Sequence, residues 1–208
     1  MEKGVVMKRK WCWWIVIPLV SFLLFYGCGK EEKGGGLTAQ QLIDQGWVKF
    51  SAGNDAGASG DFNAAIGLDS SKHEAYFGLG WAELRQNHAG MAENAFVTYL
   101  LKDPNSSNAI DAKAGLALAY HANKKFQEAI DQANSVLSSA PSWSFSKDSR
   151  INHLDLALIL AESYYAIANF SQSLAMVNLY FDPSFTADIT TSEGRAKLAD
   201  KLQDLYTG

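Results

Sequence analysis

Two stretches of this chain echo each other at an offset of 34 residues. Gly46-Trp47 recurs as Gly80-Trp81, Ala58 as Ala92 and Phe62 as Phe96. An offset of that length constrains the fold strongly. A unit this short cannot bury its apolar face alone, so successive units must stack on one another to make a continuous core. Within the first unit, Leu42, Ile43, Gly46, Trp47 and Phe50 fall at helical spacing, and so do Ala58, Phe62, Ala65, Ile66 and Leu68. Between the two runs, Asn54-Asp55-Ala56-Gly57 is turn chemistry. The predicted unit is therefore a pair of helices joined by a tight turn. Gly46 and Gly80 have a packing reason, because a missing side chain lets the paired helix approach closely. Ala-rich and Leu-rich stretches beyond residue 107 favour helix over strand.

The fullest unit runs from Tyr76 to Pro104. Tyr76, Leu79, Gly80, Ala92, Phe96 and Pro104 stand in the order W-x2-L-G-x2-Y…A-x3-F…P, with Tyr76 in the Trp slot and Glu83 in the Tyr slot. This pattern resembles the tetratricopeptide repeat (TPR). The resemblance implies an all-α, TPR-type α-solenoid of about four helix-turn-helix repeats, over 39–72, 73–106, 110–143 and 154–187. In the third repeat Leu116, Ala117, Tyr120, Ala129, Ile130 and Pro141 match. In the fourth, Leu160, Ala161, Tyr164, Phe170 and Leu174 match, with Ser173 in the Ala slot. Ser107-Asn108-Ala109 is a short insertion, and residues 144–153 are a polar linker beside Trp143. Pro183 falls about two residues early, so the last repeat helix should be short. Residues 188–208 are expected to form a C-terminal capping helix, with Ser192 as its cap and Leu198, Leu202, Leu205 and Tyr206 on one face.

The amino terminus has a different character. Met7-Lys8-Arg9-Lys10 is a basic segment, and Trp11 to Gly27 carries no charge. That run is at the lower limit for a spanning helix and suits a signal peptide over 1–27. Leu24-Phe25-Tyr26-Gly27-Cys28 resembles the lipobox of bacterial lipoproteins, with Phe25-Tyr26 departing from the usual Leu and small residue. The resemblance implies lipidation at Cys28, followed by a glycine-rich tether over 28–38. Gly29 after the cysteine resembles the outer-membrane sorting pattern, which implies a periplasm-facing outer-membrane location. An uncleaved anchor helix from Trp11 to about Gly29 is the alternative. Without residues 1–27 the chain keeps 14 basic and 21 acidic residues, a formal charge of −7. That balance argues against nucleic acid, whose phosphates require Lys and Arg.

Catalytic patterns are scarce. The two cysteines, Cys12 and Cys28, both lie in the leader region. His73, His88, His121 and His153 lack metal-ligand spacing, so no metal and no cofactor are expected. Ser144 and Lys147 match a serine–lysine pair on two letters, without its partner motifs. The expectation is a non-enzyme with no small-molecule substrate.

In the TPR family, peptides or protein segments bind a concave groove lined by the first helix of each repeat. The resemblance carries this role to Ile43, Trp47 and Phe50 in repeat one, and to Phe77, Trp81, Leu84 and Arg85 in repeat two. Leu118, His121, Leu158, Glu162 and Tyr165 follow in repeats three and four. Leu118 and Leu158 are expected to pack, while Trp47 and Trp81 are expected to face the groove, since other residues fill the slots between paired helices. Trp, Tyr and Arg are the residue types that dominate binding hot spots. Ile43 and Trp47 occupy positions where some TPR domains clamp a terminal carboxylate with Asn and Lys, so that clamp is not expected. The implied function is a membrane-tethered scaffold holding partner segments for envelope assembly, secretion or pilus-type complexes. Two alternatives are a structural or oligomerising module whose groove is already occupied, and an enzyme with an unrecognised site.

Overall fold

The structure is a computed structural model that describes residues 36–207. The leader, Cys28 and most of the tether predicted above lie outside the described residues. Within them the chain forms α1 (Ala39–Ser51), α2 (Asp55–Leu68), α3 (His73–Arg85), α4 (Ala89–Lys102), α5 (Ala109–Ala122), α6 (Phe126–Ser139), α7 (His153–Ala166), α8 (Phe170–Tyr180) and α9 (Ser192–Thr207). Consecutive helices pack against each other. Each first helix of a pair also touches the next first helix, α1 on α3, α3 on α5 and α5 on α7. α9 packs on α7 and α8 and continues that inner row, which closes the last apolar face with Leu198 and Leu202. The described architecture is the all-α solenoid of four helix pairs plus a terminal helix.

Local chemistry explains the helix ends. Thr38 caps α1 through a reciprocal pair of hydrogen bonds, in which Gln41 N donates to Thr38 Oγ1 and Thr38 N donates to Gln41 Oε1. Asn54 is the cap of α2, accepting from Gly57 N, so Asp55-Ala56-Gly57 is helical rather than turn. The turn is Ala52-Gly53. In the same slot of the later pairs stand Asn87, Lys124 and Ala168, all with φ near +60°, like Gly53 at +77°. At each one the next amide donates back to a carbonyl five residues earlier: Asn54 to Lys49, His88 to Glu83, Lys125 to Tyr120 and Asn169 to Tyr164. This is one left-handed helix stop used four times. Thr191, not Ser192, caps α9, accepting from Gly194 N at 3.0 Å. α8 is shorter than the second helix of the other pairs, as the early Pro183 requires.

The echo has a physical meaning in the core. Phe62 is fully buried between two glycines: a Cβ at Gly46 would lie 2.7 Å from its ring, and one at Gly78 only 2.3 Å away. Phe96 is held in the same way between Gly80 and Gly115, at 2.7 and 2.3 Å. Each ring thus fixes the spacing both to its own paired helix and to the next repeat.

Candidate functional site

The first helices line one side of the stack, and their inward residues form the groove that the resemblance implied. In repeats one and two that groove is filled by the chain itself. Residues 143–152, between α6 and α7, fold back over α1, α3 and α5 instead of running as a polar surface linker. Phe145 stacks on Trp81 with ring centroids 3.9 Å apart and planes at 18°. Its edges meet Phe50 at 6.3 Å and Phe77 at 6.2 Å. Trp81 is 0 % exposed and Phe145 1 %.

Phe50, Phe77 and Trp81, expected to contact a partner, are covered in this state. They do point at the groove, but all three are buried and their ring faces are already used. Trp47 is half-buried, packed edgewise on Phe50 and Phe62, with Lys147 Nζ 5.4 Å from its ring centre. Arg85 is likewise engaged. Its guanidinium lies 4.2 Å over the Phe50 ring, Nη1 donates to Phe50 O at 3.2 Å, and the same nitrogen is 3.8 Å from Asp148 Oδ2. Arg85 Nε is also 3.1 Å from Asp55 Oδ1, an ion-pair contact without hydrogen-bond alignment. The loop is tied further through Asp111, which accepts from Trp143 Nε1 at 2.8 Å and from Ser146 Oγ at 2.9 Å. Asp148 in turn accepts from Arg150 Nε and Nη2. These bonds to Arg150, with a further contribution from Arg85, hold its carboxyl below the usual range. Leu84 and Leu118 are half-buried and border an open cleft of about 280 Å3 beside the loop, together with Ile151 and Asp155.

The far half of the groove remains open. A cleft of about 590 Å3 lies between α5, α7 and α9, lined by His121, Phe126, Glu162 and Tyr165 on the repeats and by Leu202 and Tyr206 on the terminal helix. His121 Nε2 is 3.2 Å from Glu162 Oε2, and its ring lies 5.8 Å from Phe126. Tyr165 is positioned twice, by an edge contact with Phe170 at 5.0 Å and by donating to Arg195 O at 3.2 Å. Of the predicted site residues, the structure therefore brings His121 and Tyr165 together at an accessible surface. Tyr206 completes that surface, and it is 71 % exposed although it was expected to pack.

One polar cluster was legible only in part. Glu83, in the slot where the TPR pattern has Tyr, is buried, and it accepts from Ser59 Oγ on one oxygen and pairs with His88 Nδ1 at 2.8 Å on the other. The carboxylate stands between serine and histidine, so the imidazole cannot take the serine proton. The arrangement fills a core slot with satisfied polar groups rather than activating a nucleophile. The unusual residue in the Tyr slot was its visible signal.

No family model matches the chain, and no curated protein matches it. Solved structures do. A thermophilic TPR protein from Thermus thermophilus is 16% identical, with a TM-score of 0.51 over 82% of this chain and 89% of that one. A tetratricopeptide repeat protein from Parabacteroides merdae is 15% identical, with a TM-score of 0.52 over 83% of this chain. The chain spans 62% of that second protein's length. At these identities the similarity is one of fold, and the fold is an all-α TPR solenoid.

Proposed function

We propose that the protein is a membrane-tethered TPR scaffold that holds a protein or peptide segment against the open half of its concave face. The observation that carries this is the contrast between the two halves of the groove. The first is filled by Phe145, whereas the cleft at His121, Glu162 and Tyr165 is accessible and has the mixed aromatic and polar lining of a recognition surface. The membrane tether rests on the signal-like leader and the Gly27-Cys28 junction. By that reading the array faces the periplasm from the outer membrane, near assembly, secretion or pilus-type complexes.

A photo-crosslinker placed at Tyr165 in cells should capture a defined partner, while one at Val48, exposed on α1, should not. Equal capture at both positions would remove the cleft as the contact surface. Labelled fatty acid should be incorporated by the natural chain and not by Cys28→Ser. Incorporation by the variant would remove the lipid anchor.

A second reading rests on the Phe145 stack itself. If the filled half is permanent, repeats one and two serve as a structural block and the groove there binds nothing further.

A further inference from the structure

We infer that residues 143–152 are an internal stand-in for a partner peptide, and that a turn-forming segment presenting an aromatic side chain, with an acidic one three residues later, replaces them on Trp81 and Arg85. The inference goes beyond the open cleft and does not depend on it.

The loop presents itself as a ligand would. Phe145 supplies an aromatic ring stacked at 3.9 Å on Trp81, and Asp148 supplies a carboxylate 3.8 Å from Arg85. Both receiving side chains stand on α3, four residues and one turn apart. An aromatic anchor and an acid at a three-residue offset is thus the chemistry that this half of the groove reads.

The loop is also built to leave as a unit. Inside it, Phe145 N donates to Ile151 O, Asp148 N to Phe145 O and Ile151 N to Asp148 O, and its other backbone bonds go to its own flanks, as Trp143 N to Ala140 O and His153 N and Asp155 N of α7 to Trp143 O and Asn152 O. Among the described residues no backbone bond joins the loop to α1, α3 or α5. Its separation from α1, α3 and α5 would break side-chain contacts only, and the two hydrogen bonds that tie it to α5 converge on the single residue Asp111.

Finally, the loop leaves one polar group of its seat unmet. Trp81 Nε1 is buried with no hydrogen-bond partner among the described residues, beside an open surface cleft of about 280 Å3 that Ile151 borders. A permanent core element would be expected to satisfy such a donor. A segment that also supplies a hydrogen-bond acceptor there would fit better than the loop does.

The test uses the full chain in mild detergent and a fluorescent peptide of residues 142–152. Natural protein should bind it at least tenfold more weakly than Phe145→Ala, because the covalently attached copy competes at high effective concentration. Asp148→Ala, which keeps the ring stack, should fall between the two. A peptide carrying Phe145→Ala should lose binding by at least tenfold, and one carrying Asp148→Asn by about threefold. Adding Arg85→Met to the Phe145→Ala protein should erase that second difference. If both loop variants keep their helical circular dichroism and neither exceeds the natural protein, the loop is a fixed part of the core and the inference fails. Should Phe145→Ala not fold, Asp148→Ala alone decides. A concentration-dependent dimer that the peptide does not disperse would also overturn it, by assigning the seat to the loop of a second copy.

Discussion

Replacing one glycine by alanine should destabilise this protein at one site and stabilise it at another, with the sign set by a phenylalanine. In a helix interior, alanine is favoured over glycine by about 0.8–1.0 kcal/mol. Gly60 in α2 is exposed and a Cβ there would meet nothing within 4 Å, so Gly60→Ala should realise that gain. Gly115 in α5 has the same propensity to recover, but its Cβ would lie 2.3 Å from Phe96 Cζ. Phe96 cannot step aside, because it is fully buried, sits against Gly80 on its other side and packs edgewise on Trp81 at 5.4 Å. Overpacking of this kind costs about 1–3 kcal/mol, which exceeds the propensity gain over most of that range. The two variants should therefore differ by about 1–3 kcal/mol, or roughly 2–12 °C in Tm for a chain of this size. Thermal unfolding followed by helical circular dichroism in detergent reads the difference directly. Phe96→Leu added to Gly115→Ala should cost less than the two singles together, since the shortened side chain vacates the clash. A Gly115→Ala variant that melts at or above the natural protein would refute the account of the echo as a glycine–phenylalanine wedge.

The anchor of α9 should respond to acid. Asp182 is lowered from 3.8 to about 2 by its bonds to Lys201 and the Ser184 hydroxyl, so its contribution is complete above pH 3.8 and is lost as pH falls through about 2. Amide exchange in α9 should accelerate, relative to its intrinsic rate, between about pH 4 and pH 2, and Lys201→Met should flatten that dependence. In the core, Glu83→Leu removes the acceptor of Ser59 and the partner of His88. It should cost about 1–3 kcal/mol in urea unfolding, and the added Ser59→Ala should recover part of this.

The helix pairs were legible because Gly46, Trp47, Ala58 and Phe62 repeat at 34 residues, and Gly46, Ala58 and Phe62 are buried where the paired helices meet. Half of the glycine wedge was harder to see. Gly78 and Gly115 are equivalent in space but stand 37 residues apart, since Ser107-Asn108-Ala109 shifts the register by three. The groove-filling loop was hidden for a different reason. Ser144, Ser146, Lys147, Asp148, Ser149 and Arg150 outnumber Phe145, and a lone aromatic in a polar run has no period to betray burial. Its partners Phe50, Phe77 and Trp81 were found as groove residues, yet sequence spacing places them on a face without saying what covers it. His121 and Tyr165 were placed on the same face, and only the three-dimensional packing distinguishes the open half from the closed one.

The left-handed helix stop repeated at Gly53, Asn87, Lys124 and Ala168 makes the array improvable from outside its interfaces. A residue with a Cβ in that conformation costs about 1–2 kcal/mol, least for Asn, and glycine carries no such penalty. Lys124 and Ala168 therefore hold back stability that no contact in the protein requires, and Ala168→Gly should release up to about 1 kcal/mol of it after glycine's own entropy is deducted. Because Gly53 already occupies the first turn, this margin for strengthening lies in the third and fourth repeats. Those are the repeats that frame the open cleft. At Ala168, which lies outside that cleft's lining, the rigidity of the region argued to bind can be adjusted without touching a side chain that would meet the partner.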